Sequence, residues 1–146
     1  MTDASFEQRL ALIHAAYESA DPAARPVLDR ALAGDDDRLA EAAADALGGF
    51  GGAGARAVLE RLLADESVRR RAGAVRGLRR LADPAAIPAL VPVLDDTRPY
   101  EPWGTSPERG GIPLRDRVAD AIDELAGEPL GGDPERIRAW LAARDS

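Results

Sequence analysis

The stretch DPAAIPALVPVL, residues 83–94, decides how the chain folds. Asp83 can cap the free amides of a helix start, and Pro84 suits a first helical turn. Leu90 and Leu94 then stand one turn apart. Leu90 falls 31 residues after Leu59, which falls 31 after Leu28; Leu94, Leu63 and Leu32 repeat the interval. A second series, Ala43, Ala46, Leu47 and Phe50, maps 31 residues on to Ala74, Gly77, Leu78 and Leu81. It recurs 44 residues later as Val118, Ala121, Ile122 and Leu125, so the third copy carries 13 extra residues in its middle. A fixed period of this size specifies stacked repeats, each burying its apolar stripe against the next.

Each copy holds two apolar-periodic segments separated by turn signals. The first segments (A helices) are expected at 22–33, 53–64 and 84–94. The second (B helices) are expected at about 38–48, 68–82 and 114–126. Gly34 and the Gly48-Gly49 pair read as stops, and Pro92 should kink or end its helix. Residues 4–20 read as an N-terminal cap helix with Phe6, Leu10, Ile13 and Tyr17 on one stripe. A shift of 31 also sets Leu12, Ala15 and Ala16 opposite Ala43, Ala46 and Leu47, which would make this helix a lone B helix. Residues 133–145, with Ile137, Trp140 and Leu141, read as a C-terminal cap helix. The expected whole is a single all-α domain over 1–146. It is a right-handed α-solenoid of three helix pairs (21–50, 51–82, 83–127) with capping helices at both ends and an insertion loop at 97–113.

Composition narrows the function classes. The chain has 146 residues, 45% hydrophobic but only 4% aromatic, so its core must be Leu, Val, Ile and Ala. Net charge is −7, and every basic residue is Arg. That balance disfavours nucleic-acid and anionic-membrane binding. Without Cys there is no disulfide, thiolate chemistry or thiolate metal site. Asp3 and Glu7 stand where a signal peptide needs basic then apolar residues. The chain reads as cytoplasmic.

These residues resemble bacterial HEAT repeats, of the short lyase-type HEAT-like kind. The A-helix signature is Asp83-Pro84-Ala85-Ala86-Ile87-Pro88-Ala89-Leu90. The B-helix signature appears as Arg71, Ala74, Gly77 and Leu78, and again as Arg115, Val118, Ala121 and Ile122. Repeat one departs from it, with Ala40 in place of the arginine that usually contacts a turn aspartate. The resemblance covers roughly residues 21–126. It implies a solenoid whose B helices line a concave groove, and it implies no particular chemistry. Family members that hold iron do so with several His-Glu pairs, whereas the one histidine here, His14, precedes Ala15. No cofactor and no metal site are expected.

Two features depart from a plain repeat. The second B helix carries Arg69, Arg70, Arg71, Arg76, Arg79 and Arg80. One reading of its groove-facing arginines is an anion site. The other is an ion-pair ladder, because the register sets Asp45 and Asp120 level with Arg76 and Glu124 level with Arg80. Arg69 has only Arg38 and Pro113 in its row, so Arg38 and Arg69 are candidate partner contacts. The insertion, TRPYEPWGTSPERGGIP (97–113), supplies four more candidates in Arg98, Tyr100, Trp103 and Arg109. Loops this long in compact stacks usually serve function, and Trp, Tyr and Arg dominate binding interfaces. Equally, Trp103 could fold back over the Ala-rich edge as a structural lid. No nucleophile in the loop has a nearby base. The expected function is a non-catalytic protein–protein interaction module, an adaptor, regulatory or immunity-type binder, working through the groove and the 97–113 loop. The alternative is a small-molecule or lyase-type protein with a pocket under Trp103.

Overall fold

The structure is a computed structural model that describes residues 5–51, 54–96, 99–100 and 112–145. Helix α1 (Phe6–Ser19) starts on a capping box, in which Ser5 Oγ accepts from the Gln8 amide and Gln8 Oε1 accepts from the Ser5 amide. A 3-10 turn at Pro22–Ala24 leads into α2 (Arg25–Ala33), followed by α3 (Asp37–Phe50), α4 (Ala55–Leu62) and α5 (Val68–Leu81). The third copy begins with a 3-10 turn at Pro84–Ala86 and α6 (Ile87–Leu90). It tightens to a 3-10 segment at Val91–Asp95. That change falls where Pro92 removes an amide from the helical ladder. Two short strands, β1 (Pro99–Tyr100) and β2 (Ile112–Pro113), pair antiparallel with Tyr100 opposite Ile112 and close the base of the insertion. Helices α7 (Leu114–Ala126) and α8 (Pro134–Asp145) complete the chain. The described residues are thus predominantly helical, consistent with an α-helical solenoid.

Successive copies share one core. Leu28, Leu59 and Leu90 are all fully buried, as are Leu47, Leu78 and Ile122 from the second series. Each such side chain contributes roughly 1.5–3 kcal/mol by leaving water. Helix α3 packs on α2 behind it and on α5 beside it, and α5 packs in turn on α4 and α7. Helix α1 lies across α2 and α3, and α8 rests on the 91–95 segment.

The α3–α5 contact is made backbone to backbone. A Cβ built on Gly48 would lie 1.9 Å from the Gly77 carbonyl oxygen, and one on Gly77 would lie 2.4 Å from that of Ala44. One on Gly73 would lie 2.8 Å from the Glu41 Cα. These glycines explain a departure from the expected helix end. Gly48 and Gly49 do not stop the helix; α3 runs through both to Phe50 and ends at Gly51, whose φ of +72° suits glycine. Gly48 is there for proximity.

The N-terminal register also needs correction. Leu12 is 56% exposed, and the residues α1 buries are Ile13 and Ala16. Ala16 falls 31 places before buried Leu47, as the proposed match has it, whereas Ile13, 31 before Ala44, takes the buried place expected of Leu12.

Arginines tie the turns together. Arg71 is buried, and its Nε donates to Asp96 Oδ2 at 2.9 Å while Nη1 donates to the carbonyls of Asp65 and Glu66 at 2.6 and 3.0 Å. Asp65 and Asp96 are register mates, so one guanidinium holds the turns of two consecutive copies. Arg115 holds the next, donating to the Gly132 carbonyl at 3.2 Å. The first copy, with Ala40 at this position, is held from the neighbouring helix instead. Arg70 Nε donates to Asp37 at 2.7 Å, Nη1 to the Leu32 carbonyl at 2.8 Å, and Nη2 to that of Gly34.

Candidate functional site

Helices α3 and α5 meet α1 in a groove of about 290 Å³. Helix α1 supplies Phe6, Leu10, His14 and Tyr17, spaced three or four residues apart and so on one face. Helix α3 supplies Arg38, Glu41, Ala42, Asp45 and Ala46, and α5 supplies Arg76 and Arg80. Ile13, expected on the same stripe of α1, turns into the core and leaves His14 in the groove wall.

The charges form a chain of ion pairs between α3 and α5. Glu41, buried in the floor, takes Arg69 Nη1 at 3.2 Å on one oxygen and Arg76 Nη2 at 3.7 Å on the other. Asp45 takes Arg76 Nη1 at 3.9 Å and lies against Arg80 Nε. Arg80 Nη1 also donates to Tyr17 Oη at 3.3 Å, with its guanidinium 5.7 Å from the Tyr17 ring centre. Arg38 stacks 4.1 Å above the Phe6 ring and donates to Asp36 at 3.3 Å. Cation–π contacts of this kind contribute about 0.5–1 kcal/mol at exposed sites. They fix where each guanidinium lies.

The expected ladder is therefore real but differently wired. Arg76 meets Asp45, as the register requires. It also meets Glu41 on α3, a partner the register does not name. Glu124 is paired with Arg79, outside the groove, while Arg80 turns to Asp45. The expectation that Arg69 and Arg38 lack acidic partners is overturned, because Arg69 is held by Glu41 and Arg38 by Asp36. Sequence register missed Glu41 because its register mate is Ala72. Arg69 and Arg76 stand three residues before and four after Ala72, on the same helical face. A search one turn either side of each register position finds the pairing.

Beside Arg38, Asp36 caps α3, accepting from the amides of Arg38 and Leu39 at 3.0 and 3.4 Å. Burial acts to raise its pKa. It is outweighed by hydrogen bonds from the Arg38 side chain and the two amides, so the carboxyl sits below its ordinary value. Asp37 is also lowered, chiefly by the hydrogen bond from Arg70.

Among the insertion candidates, Arg98, Trp103 and Arg109 lie outside the described residues, as does the side chain of Tyr100. The backbone of Tyr100 is placed by β1, which packs against α5. No helix among the described residues is long and apolar enough to cross a membrane.

No curated protein matches the chain. A family model described as HEAT repeats matches residues 31–101, from the end of α2 through α6 to the start of the insertion. That segment contains α3 and α5, the two helices that carry the groove's charges. The similarity supports a HEAT-repeat protein.

Proposed function

We propose that the chain is a non-catalytic protein-binding module of three HEAT-like helix pairs, closed at its ends by α1 and α8. Its partner would lie in the groove between α1, α3 and α5. The short 31-residue period and the Asp83-Pro84 and Arg71 signatures favour the lyase-type branch of these repeats. HEAT repeats commonly serve as protein-interaction scaffolds. The observation that carries the reading is the convergence of Phe6, Tyr17, Arg38 and Arg80 beside the apolar side chains of Leu10, Ala42 and Ala46. Aromatic and arginine side chains held in place before binding lose little entropy on contact, and they dominate measured interface energies. The insertion, with Arg98, Tyr100, Trp103 and Arg109, is the second contact in this reading. Its base stands against α5, and its composition is that of an interface.

The test is site-specific photo-crosslinking in the native cell extract. A photoreactive residue at His14, exposed on the groove wall, should trap a discrete protein species. The same group at Ala57, exposed on α4, should not. Trapping Trp103→Ala with the His14 probe should lower the yield. Equal trapping from both positions, or none, refutes the groove as the binding face.

A further inference from the structure

The groove's charges are layered, and the layering selects the chemistry of the partner. Glu41 and Asp45 lie in the floor with side chains 5% and 20% exposed. The arginines over them are open: 31% for Arg69, 35% for Arg76, 46% for Arg80 and 45% for Arg38. A ligand entering the groove thus meets guanidinium edges, while the carboxylates act from below to hold them. Among the described residues, the guanidiniums of Arg69, Arg76 and Arg80 form their ion pairs with two floor carboxylates, those of Glu41 and Asp45. The surface is locally cationic in a chain whose net charge is −7.

Beside this cationic row runs the apolar wall of Phe6, Leu10 and Tyr17. The eleven steps from Phe6 to Tyr17 span about 17 Å at the α-helical rise. That length matches about five extended residues or about three helical turns.

We infer that the groove takes an acidic, apolar-anchored peptide segment, with Asp or Glu side chains on Arg76 and Arg80 and a Leu- or Phe-like anchor against Phe6, Leu10 and Tyr17. This rests on the groove being the binding face, as proposed above, and adds the class of partner. Arginine's planar fork suits carboxylates in two-point contact. Arg80 already donates to Tyr17 Oη, so an incoming carboxylate finds it aimed toward the apolar wall. Glu41 is a positioning residue, orienting Arg69 and Arg76 without touching the ligand. A basic segment would face the exposed guanidiniums of Arg38, Arg76 and Arg80 and is disfavoured. Steering by such a surface is ionic-strength dependent.

The experiment is selection of a displayed random 12-residue peptide library on the full chain, in parallel with the Arg76→Gln/Arg80→Gln variant and with Tyr17→Ala. Thermal unfolding by circular dichroism confirms that each variant is folded. Should the double variant not fold, Arg80→Gln alone, at an exposed position, replaces it. The expected result is enrichment of peptides that pair two or more Asp or Glu with a large apolar residue. A synthetic representative should lose at least tenfold in affinity on either variant, and at least tenfold between 50 and 300 mM NaCl. Enrichment of basic or uncharged peptides that still need Tyr17 would overturn the acidic class and leave the groove reading standing. Acidic peptides that bind all variants equally would overturn both. So would the absence of any enrichment.

Discussion

Gly48→Ala should break the molecule at the point where α3 and α5 touch. The new Cβ would lie 1.9 Å from the Gly77 oxygen and 2.5 Å from its carbonyl carbon and Cα. Ordinary heavy-atom contact is about 3.5 Å, so the two backbones would have to part by about 1.5 Å. Neither can yield locally, because the obstacle is the main chain of a helix interior. Overpacking of this kind costs about 1–3 kcal/mol, and opening the seam also forfeits dispersion contacts along it. Alanine recovers about 1 kcal/mol of helix propensity. With a backbone obstacle the cost falls at the upper end, leaving a net loss of about 2 kcal/mol. At about 4 °C per kcal/mol for a domain of this size, the midpoint should fall by roughly 8 °C. Denaturant and thermal unfolding followed at 222 nm measure both. Gly49→Ala is the control: its Cβ would meet Tyr17 Cε2 at 2.3 Å, the far end of a side chain that can swing away. Its stability should stay within about 1 kcal/mol of the parent. A Gly48→Ala protein as stable as the parent would refute the backbone-contact reasoning.

Two further perturbations test a tie between repeats and a helix cap. Arg71→Ala strips Asp96 and the carbonyls of Asp65 and Glu66 of a buried donor and should cost about 3–5 kcal/mol; a loss below about 1 kcal/mol in urea unfolding would contradict it. Asp36 and Asp37 both have carboxyls lowered in the folded state relative to 3.8. Their stabilisation is therefore complete well above pH 3.8 and is lost as pH falls below it, through the folded values. Asp36→Asn keeps a capping side chain but not the charge, so it should flatten the acid limb of a stability-versus-pH curve, and an unchanged limb would rule Asp36 out as a source.

The periodicity of Leu28, Leu59 and Leu90 was enough to locate the helices, because burial of one stripe per helix is a one-dimensional pattern. Pro92 and Asp83-Pro84 acted locally, and their effects could be read directly. Tertiary effects were harder to read. Gly48-Gly49 carries the same letters whether it ends a helix or lets two helices touch, and only the partner Gly77 tells the two apart. The groove's wiring escapes the 31-residue register for a related reason. Arginine side chains reach a full turn, so Glu41 serves Arg69 and Arg76 from a position level with neither. The face that α1 gives the groove depended on one residue of rotation, which exchanged Ile13 for His14.

The glycine seam separates the frame of the groove from its lining. Gly48, Gly73 and Gly77 fix the distance between α3 and α5 through main-chain contact, and the atoms nearest them belong to Glu41, Ala44, Leu59 and Gly77 rather than to the groove's arginines. The lining can therefore be rewritten, residue by residue, on a frame of constant width. A lineage carrying this seam could exchange one partner for another through surface substitutions alone, with each intermediate still folded. The same property makes α3 and α5 a natural starting scaffold for designed peptide binders.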